Sequence, residues 1–355
     1  MTAGMMTATA SAASVRGGLT FVLRRTGTVV VTLFFLAVIV FLMTKAIPGD
    51  EAHVAAGESA TPDQVAAVRE RLGLDQPLPV QLGHYLRTLL HGDLGTSIAT
   101  GRSVGADILA VLPQTLELVV LSTVLMVLAV VPAAIAAALH RNRPRDVGTR
   151  LAWLAAGSLP TFWIALELQY LLGTQWRILP ISGRLSRGIT VPTRTGSTIL
   201  DSLLAGNVPA AWNAFQHLLL PALVLMLPFA GQLFRALRAE LLDVLGRDHI
   251  TVARATGMPT GMLLRRHALP NAAGPALTVL GIEFGTMVAT AVLVEGVFGL
   301  NGLGSYLTTA VQQKDTFAVL SGVLVVGVVV VLVNFAVDLV QLARDPRLRS
   351  AELAR

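Results

Sequence analysis

The sequence contains no cysteine and has few charged residues for its length. Of the 355 residues 14% are charged and 54% are apolar, and the mean hydropathy is +0.68. The absence of cysteine excludes disulfides, thiol nucleophiles and thiolate metal ligands. A soluble domain carries roughly a quarter charged residues. The shortage of charge therefore indicates an integral membrane protein in a lipid bilayer.

Lysine is also scarce, and its positions exclude one class of nucleotide-binding site. The two lysines are Lys45 and Lys314, and neither follows a glycine. A phosphate-binding P-loop requires Gly-Lys followed by Ser or Thr. If the protein depends on ATP, we therefore expect another chain to bind the nucleotide.

Signals of catalysis or metal binding are weak. The seven histidines are scattered, without a His-x-x-x-His pair on an apolar segment, so zinc spacing is lacking. The net charge of +6 would suggest nucleic acid in a soluble protein, but membrane topology explains the arginines here. We predict no catalytic residue, no metal site and no nucleic-acid partner.

Six stretches are long and apolar enough to cross a bilayer as helices of about 20 residues. They cover roughly 27–47, 115–139, 149–173, 214–237, 273–296 and 317–342. The first is longer than the apolar core of a signal peptide and no Ala-x-Ala site follows it, which favours a retained span. Pro160 and Pro228 lie within two of the stretches, where proline is expected to kink a helix.

Arginines predict the orientation. Seventeen of the 27 basic residues lie before the first span, in the 140–150 loop, between 235 and 272, and in the tail. The positive-inside rule places these segments and both termini in the cytoplasm, giving a multi-pass cell-membrane protein. The predicted regions are a cytoplasmic extension (1–26), the first span (27–47), an outer loop (48–114), a five-helix core (115–342) and a cytoplasmic tail (343–355). The second outer loop, 174–213, does not fit well, because it has four arginines and one acid.

The first outer loop is patterned like a helical segment. Thr61 is a plausible N-cap, Pro62 suits the first helical position and Gly73 a helix end. Further on, Val80, Tyr85, Leu86, Leu89 and Leu90 fall largely on one side of a second helix. This amphipathic helix either rests on the membrane surface or forms an outer cap that contacts a partner.

Acidic and small residues inside the spans are candidates for the path and for helix packing. Glu167 and Glu283 lie in predicted spans, where a charge costs roughly 2.5–3.5 kcal/mol and usually faces a bundle interior or a water-filled path. Each could line a path or only bond to a neighbouring helix. Gly281 and Gly285, spaced by four residues, predict close helix packing.

The most distinctive segment is the predicted cytoplasmic loop 248–272. It reads as a short helix ended by Gly257, a Met-Pro turn, and a second helix from which Arg265, Arg266 and His267 project together. Such a helical knuckle suits a groove on another protein. An ordinary basic loop that obeys the positive-inside rule is the alternative.

The same loop carries a family resemblance. Ala253-x-Ala255-x-Gly257, nine residues, and then His267-x-Leu269-x-Asn271-Ala272 resembles the coupling loop of ATP-binding-cassette importer permeases of the dipeptide/oligopeptide/nickel family. Short blocks in family order extend the resemblance over most of the chain, among them "IPGD" (47–50), "GDLGTS" (92–97), "LPISGR" (179–184), "VEGVFGLNGLGSYL" (294–307) and "DPRLR" (345–349).

The resemblance implies an all-α membrane protein with six transmembrane helices, the type I ABC importer permease fold and a helical outer loop after the first helix. It implies that two such permeases, usually non-identical, enclose the path. Two cytoplasmic ATPase subunits would use ATP and magnesium, and an extracytoplasmic binding protein would deliver dipeptides or short oligopeptides. The residues that would couple to the ATPases are Ala253, Arg254, Ala255, Gly257, Arg265, Arg266, His267, Leu269 and Asn271.

Two alternatives remain from the sequence. The same architecture could import nickel or another small solute, and neither histidine content nor loop composition decides between these substrates. A stand-alone carrier or channel would instead predict internal repeats and paired acids in register, which we do not find, and it would leave the 248–272 loop unexplained.

Overall fold

The computed structural model describes residues 2–46, 51–57, 60–97 and 100–344. Five helices in this part of the chain are long and apolar enough to cross a membrane, or six if one bent helix pair counts as a span. The predicted all-α membrane fold is thereby confirmed. The helices are α1 (Thr2–Ala46), α2 (Glu51–Ala56), α3 (Pro62–Leu72), α4 (Leu78–Leu90), α5 (Val104–Leu139), α6 (Pro144–Ser158), α7 (Thr161–Leu168), α8 (Thr198–Leu204), α9 (Val208–Leu245), α10 (Asp248–Ala255), α11 (Thr260–Leu263), α12 (Leu269–Phe298), α13 (Leu303–Gln312) and α14 (Thr316–Arg344).

The core of the bundle is built from α5, α9 and α12. These helices supply most of one large cluster of buried apolar side chains, which includes Leu118, Leu225, Phe234 and Met287. Two thirds of the most apolar segment of α9 is buried, a larger share than in the other long helices. Helix α9 is therefore the central helix, and α5 and α12 pack along it. We call the end of the bundle that carries residues 248–268 the inner end, and the opposite end the outer end.

The predicted third span, 149–173, is not one straight helix. Helix α6 and the segment Thr161–Gln175, which is α7 followed by a π-helical stretch from Gln169 to Gln175, are bent by 102° at the break between them. Pro160 is the residue before α7 and takes an extended conformation, φ −62° and ψ 133°. Proline has no N–H to continue the ladder of α6 and disfavours helical geometry at Leu159. Pro228, by contrast, lies inside the unbroken α9.

The long helices start earlier or end later than the apolar stretches that predicted them. Helix α5 begins at Val104 and α9 extends from Val208 to Leu245, so both run past the predicted spans into polar sequence. Helix α1 runs without a break from Thr2 to Ala46, so the predicted region 1–26 and the first predicted span lie on one helix. Apolar composition predicts the part of a helix that lies in hydrocarbon, not where its hydrogen-bond ladder ends.

Helix α3 in the first outer loop has the predicted ends. Thr61 caps it in a reciprocal box with Gln64, Pro62 occupies its first position, and Gly73 ends it in the left-handed region at φ +64°. In the amphipathic α4, Tyr85, Leu86 and Leu89 pack against a cluster formed by α1 and α14. Val80 and Leu90 do not join them, since they are 43% and 88% exposed. The buried side of α4 thus rests on the chain's own helices, and burial raises the pKa of Tyr85 to about 12.

Close packing of α12 against α14 depends on two glycines. A Cβ added to Gly281 would lie 2.8 Å from Cγ2 of Val337, and one added to Gly285 would lie 2.9 Å from Cγ1 of Val330. Both glycines are buried, whereas Ala289, the next residue in this four-residue spacing, is exposed. The close contact therefore ends at Gly285. In lipid, such approach of backbones is a main source of helix association.

We predict that Gly285→Leu lowers the stability of the protein in detergent by about 1–3 kcal/mol, because the new side chain must displace α14. Gly296→Leu is the matched control, since Gly296 is on the same helix and a Cβ there meets nothing within 4 Å. Thermal unfolding should show a lower midpoint for Gly285→Leu than for Gly296→Leu. Equal midpoints would mean that the α12–α14 contact is unimportant for stability.

Candidate coupling surface and polar anchors

The break at Gly257 is a complete Schellman turn. The N–H of Met258 donates to the carbonyl of Ala253 at 3.1 Å, and the N–H of Gly257 donates to the carbonyl of Arg254 at 3.0 Å. Gly257 has φ +79°, a conformation that costs a residue with a Cβ about 1–2 kcal/mol. The side chain of Thr256 also donates to the Ala253 carbonyl, at 2.9 Å. The predicted end of the first helix at Gly257 is confirmed.

The knuckle after this turn is fixed to the body of the protein. Ile250, Leu263, Ala268 and Ala272 are at most 1% exposed and belong to the main core cluster. The second helix does not stop after the basic residues. Helix α11 continues through a π-helical segment, Leu264–Ala268, directly into the membrane helix α12. The knuckle is thus a rigid link between α9 and α12, because buried side chains anchor it on both sides of the turn.

The other face of the knuckle is exposed. Of the residues predicted to couple, Ala253 is buried, His267 and Leu269 are half-buried, and the exposed ones are Arg254, Ala255, Gly257, Arg265, Arg266 and Asn271. The Asn271 side chain donates a hydrogen bond to the His267 carbonyl at 2.6 Å, so its amide group already has a partner within the helix. Ala253 contributes through its backbone carbonyl and through its small size at the turn, not through an exposed side chain.

Sequence reasoning missed two apolar residues of this face. Val252 is 62% exposed and Met262 is 43% exposed, one on each side of the turn. Within the described part of the chain no carboxylate forms an ion pair with Arg254, Arg265 or Arg266. A surface with unpaired arginines around exposed apolar side chains has the composition of a protein-binding patch. Helical spacing could have predicted the exposure of Val252, because a residue two positions after the buried Ile250 lies on the opposite side of the helix.

The two predicted path residues occupy different environments. Glu283 on α12 is 5% exposed and lies near enough to Arg235 on α9 for their charges to interact, without a direct ion pair among the described residues. Glu167 on α7 is half-buried. Glu283 therefore faces α9 inside the bundle, whereas Glu167 lies at its edge. These positions leave both as candidates for the path.

Glu295 joins three elements at the outer end of the bundle. Its Oε1 accepts a hydrogen bond from the Thr115 hydroxyl on α5 at 2.6 Å, and its Oε2 accepts one from the N–H of Gly304 at the start of α13 at 2.7 Å. Thr115 in turn accepts from the N–H of Leu303 at 2.8 Å. Glu295 is fully buried, and a Cβ at Gly302 or Gly304 would collide with it. This network fixes the short helix α13 across the outer end.

The basic second outer loop contains a buried ion pair. Arg184 lies 3.5 Å from Glu117 of α5, and both side chains are nearly buried, at 11% and 8% exposed. Glu117 also accepts hydrogen bonds from Ser197, Thr198 and Ile199 at the start of α8. Burial lowers the pKa of Arg184 from its usual range, and Glu117 opposes that change. Arg184 therefore anchors the loop to α5. This contact accounts for one of the four arginines that the positive-inside rule does not explain in this loop.

Asp201 closes the same loop by a different means. Its carboxylate accepts hydrogen bonds from the N–H and hydroxyl of Thr195, at 2.7 and 2.8 Å, and from the N–H groups of Arg194 and Gly196. Burial alone would raise the pKa of Asp201, but these hydrogen bonds outweigh burial, and the pKa is lowered. The carboxylate therefore stays ionised at neutral pH and holds the chain ahead of α8.

At the inner end, Asp146 and Arg238 form a bidentate ion pair between α6 and α9. Nε and Nη2 of Arg238 lie 2.8 and 2.7 Å from the two carboxylate oxygens of Asp146. Asp146 is fully buried and also accepts from the N–H of Asn142, at 2.9 Å. This pair fastens the start of the peripheral α6 to the central helix.

A serine in the outer loop matches the letters of a hydrolase motif. Gly101-Arg102-Ser103-Val104-Gly105 has the Gly-x-Ser-x-Gly pattern, and sequence reasoning overlooked it. In a nucleophile elbow the serine follows a strand and faces a histidine. Here Ser103 precedes α5 after a single isolated bridge, Thr96–Ser103, and its hydroxyl meets no histidine in the described residues. The match lacks the context that catalysis requires.

Comparison with family models gives two matches. Residues 130–350 match a family described as binding-protein-dependent transport system inner membrane component. Residues 18–119 match the N-terminal family of binding-protein-dependent transport system membrane components. The first match covers more than half of the chain and contains α6 to α14, including the knuckle.

Curated relatives are similar over nearly the whole chain. A probable D,D-dipeptide transport system permease protein from Escherichia coli (strain K12) is 42% identical over 88% of this chain and 92% of its own length. A di/tripeptide transport system permease protein from Pseudomonas aeruginosa (strain UCBPP-PA14) is 37% identical over 93% of this chain and 99% of its own. A dipeptide transport system permease protein from Escherichia coli (strain K12) is 35% identical with the same coverage.

We predict that Asp146→Ala destabilises the protein by roughly 3–5 kcal/mol, because it leaves the Arg238 guanidinium largely buried without a partner. The double variant Asp146→Ala/Arg238→Met should recover part of that loss, since it removes both charges and keeps an apolar chain on α9. Unfolding in mixed detergent would measure both. A double variant no more stable than the single one would contradict an energetic role for the pair.

Proposed function

This chain belongs to the family of binding-protein-dependent transport system inner membrane components, and on that premise we propose that it is one permease of an ATP-driven importer of dipeptides or short oligopeptides. It is a multi-pass membrane subunit of an ABC transport system, like the relatives that it matches. The observation that carries the proposal is the knuckle. One of its faces is anchored in the core, and the other is exposed to solvent and basic.

The knuckle is the site at which an ATPase subunit would act on the membrane helices. Exposed Val252 and Met262 would enter a groove on the ATPase, with Arg254, Arg265 and Arg266 around them. The knuckle connects α9 to α12 through short, anchored segments. A displacement of the knuckle would therefore move both central helices, instead of being absorbed in a flexible loop.

The transport cycle is a shift between two arrangements of the bundle. Binding of ATP by the partner chains would draw the knuckles of two permeases together and tilt the attached helices, which opens the path outward. Hydrolysis would reset the bundle. The permease adds no covalent chemistry, because a ligand that binds one state better is sufficient to bias the equilibrium.

The assembly would contain five chains. Two homologous, non-identical permeases would form the path, two ATPase subunits would hold ATP and magnesium, and an extracytoplasmic protein would deliver the substrate. We place the knuckle and both termini in the cytoplasm, which the distribution of arginines supports. Neither lysine of this chain lies in a P-loop, which supports ATP binding by partner subunits alone.

The relatives favour peptides as the substrate. The three relatives at 35–42% identity are named for D,D-dipeptide, di/tripeptide and dipeptide transport. A nickel importer of the same architecture is not favoured by these names. A stand-alone carrier is less consistent with membership in a family that works with a binding protein.

The test is uptake of a labelled dipeptide by cells whose transporter carries the double variant Arg265→Glu/Arg266→Glu. Reversed charges on the coupling surface should lower uptake and recovery of the ATPase subunits with the tagged permease, by roughly tenfold or more. The matched control is Arg143→Glu/Arg145→Glu, which reverses two exposed arginines on the neighbouring inner loop and should change both quantities little.

Two results would contradict parts of the proposal. Equal ATPase recovery with the coupling-surface variant and the control would refute the role of the knuckle. Full ATPase recovery with the wild type, but no uptake of any dipeptide or short oligopeptide, would keep the importer and refute the peptide substrate.

A further inference from the structure

A cavity of about 210 Å³ lies between α6 and α9 near the inner end, and the transport role does not account for it. Arg150 and Arg235 line it, one from each helix, together with Trp153, Phe234, Leu151 and Leu154. The Trp153 and Phe234 rings lie with their centroids 6.4 Å apart. The cavity thus combines two cationic groups with an apolar, partly aromatic wall.

The shape of the cavity follows from a close helix approach. A Cβ at Gly231 would lie 2.9 Å from the carbonyl oxygen of Trp153, so α6 and α9 nearly touch at this level. The same position is 3.7 Å from Nη1 of Arg235, which places that guanidinium beside the glycine. Gly231 therefore permits this close approach, and Phe234 and Arg235 line the cavity beside it.

Both arginines lack a direct counter-ion in the described part of the chain. Asp146, one helical turn before Arg150, interacts with it electrostatically, but both carboxylate oxygens of Asp146 are bonded to Arg238. Glu283 interacts electrostatically with Arg235, but no ion pair joins them. No carboxylate is among the residues that line the cavity. The cavity therefore presents excess positive charge to whatever enters it.

The surroundings of the cavity resemble the boundary between headgroups and hydrocarbon. On α6, Val147, Leu151 and Leu154 are 43%, 59% and 55% exposed, a stripe of apolar side chains that none of the helices described here covers. Arg150 lies midway along the same helix. Tryptophan and arginine beside an apolar stripe are typical of the membrane interface, where arginine reaches headgroups.

We propose that this cavity binds the phosphate of an anionic glycerophospholipid from the leaflet on the knuckle side of the membrane. Arg150 and Arg235 would hold the phosphate oxygens, and the acyl chains would lie along Leu151 and Leu154. Basic pockets between membrane helices bind such headgroups, and guanidinium groups suit phosphate geometry.

A peptide carboxylate fits the cavity less well. A short peptide also carries an ammonium group, and the residues that line the cavity offer it no carboxylate. The exposed side of α6 beside the cavity is apolar, which suits acyl chains better than a hydrated peptide. These two features favour the lipid.

The experiment is native mass spectrometry of the purified, assembled transporter, titrated with phosphatidylglycerol and, separately, with phosphatidylcholine of the same acyl chains. The wild type should retain phosphatidylglycerol selectively. Arg150→Gln/Arg235→Gln should weaken that retention on the order of thirtyfold, from the loss of two charges near the surface. Arg143→Gln/Arg145→Gln, which removes two arginines outside the cavity, should retain the lipid like the wild type.

Several outcomes would overturn the proposal. Equal retention of the two lipids by the wild type would overturn it. Displacement of phosphatidylglycerol by inorganic phosphate or by dialanine would also overturn it. Undiminished retention by the Gln variant would do so as well. If the Gln variant does not assemble, the variant Arg150→Lys/Arg235→Lys replaces it, because this variant keeps both charges. Selective retention of phosphatidylglycerol by the Lys variant would support the site. Loss of that selectivity would count against a site based on charge. Transport is not measured, so failure here is separate from failure of the importer proposal.

Discussion

Burial of α9 between α5 and α12 is the constraint on which the other features depend. Inside a bilayer, helices gain little from the hydrophobic effect and associate through close packing, and α9 has the most buried of the long apolar segments. Its inner end leads into the knuckle, and its partner α12 leaves from the other side of the knuckle. The helix that holds the bundle together is thus also the one attached to the knuckle, where a partner bound at the inner end would act.

Buried polar contacts lie near the two ends of this frame and hold different elements in place. At the outer end Glu295 holds α13, and Glu117 with Arg184 holds the second loop; at the inner end Asp146 holds α6 to Arg238. Each buried charge costs desolvation energy, and paired hydrogen bonds offset it. These groups fix α13, the second outer loop and α6 to the central helices, and the hydrogen bond between Thr115 and Glu295 also joins α5 to α12.

Much of the fold was predictable because its signals are local. Apolar length predicted the spans, and the Thr61 cap and the turns at Gly73 and Gly257 follow from residues adjacent in sequence. The kink expected at Pro160 is present as the 102° bend after α6, whereas sequence missed the continuation of α11 into α12 and the pairing of Arg184 with Glu117, which is non-local. Ala253 was predicted on the coupling surface by its motif, but its side chain faces the core. A motif gives residue types at a spacing and does not say which face packs inward.

The absence of native cysteine allows the most direct test of the coupling surface. We would introduce Val252→Cys, attach a photoactivatable maleimide cross-linker, and identify the products in native membranes. Trp212→Cys is the control, since Trp212 is 59% exposed at the outer end. The account predicts a nucleotide-dependent adduct between the Val252→Cys chain and an ATPase subunit, and none from Trp212→Cys. Failure of Val252→Cys to reach any ATPase, with efficient labelling, would contradict the account.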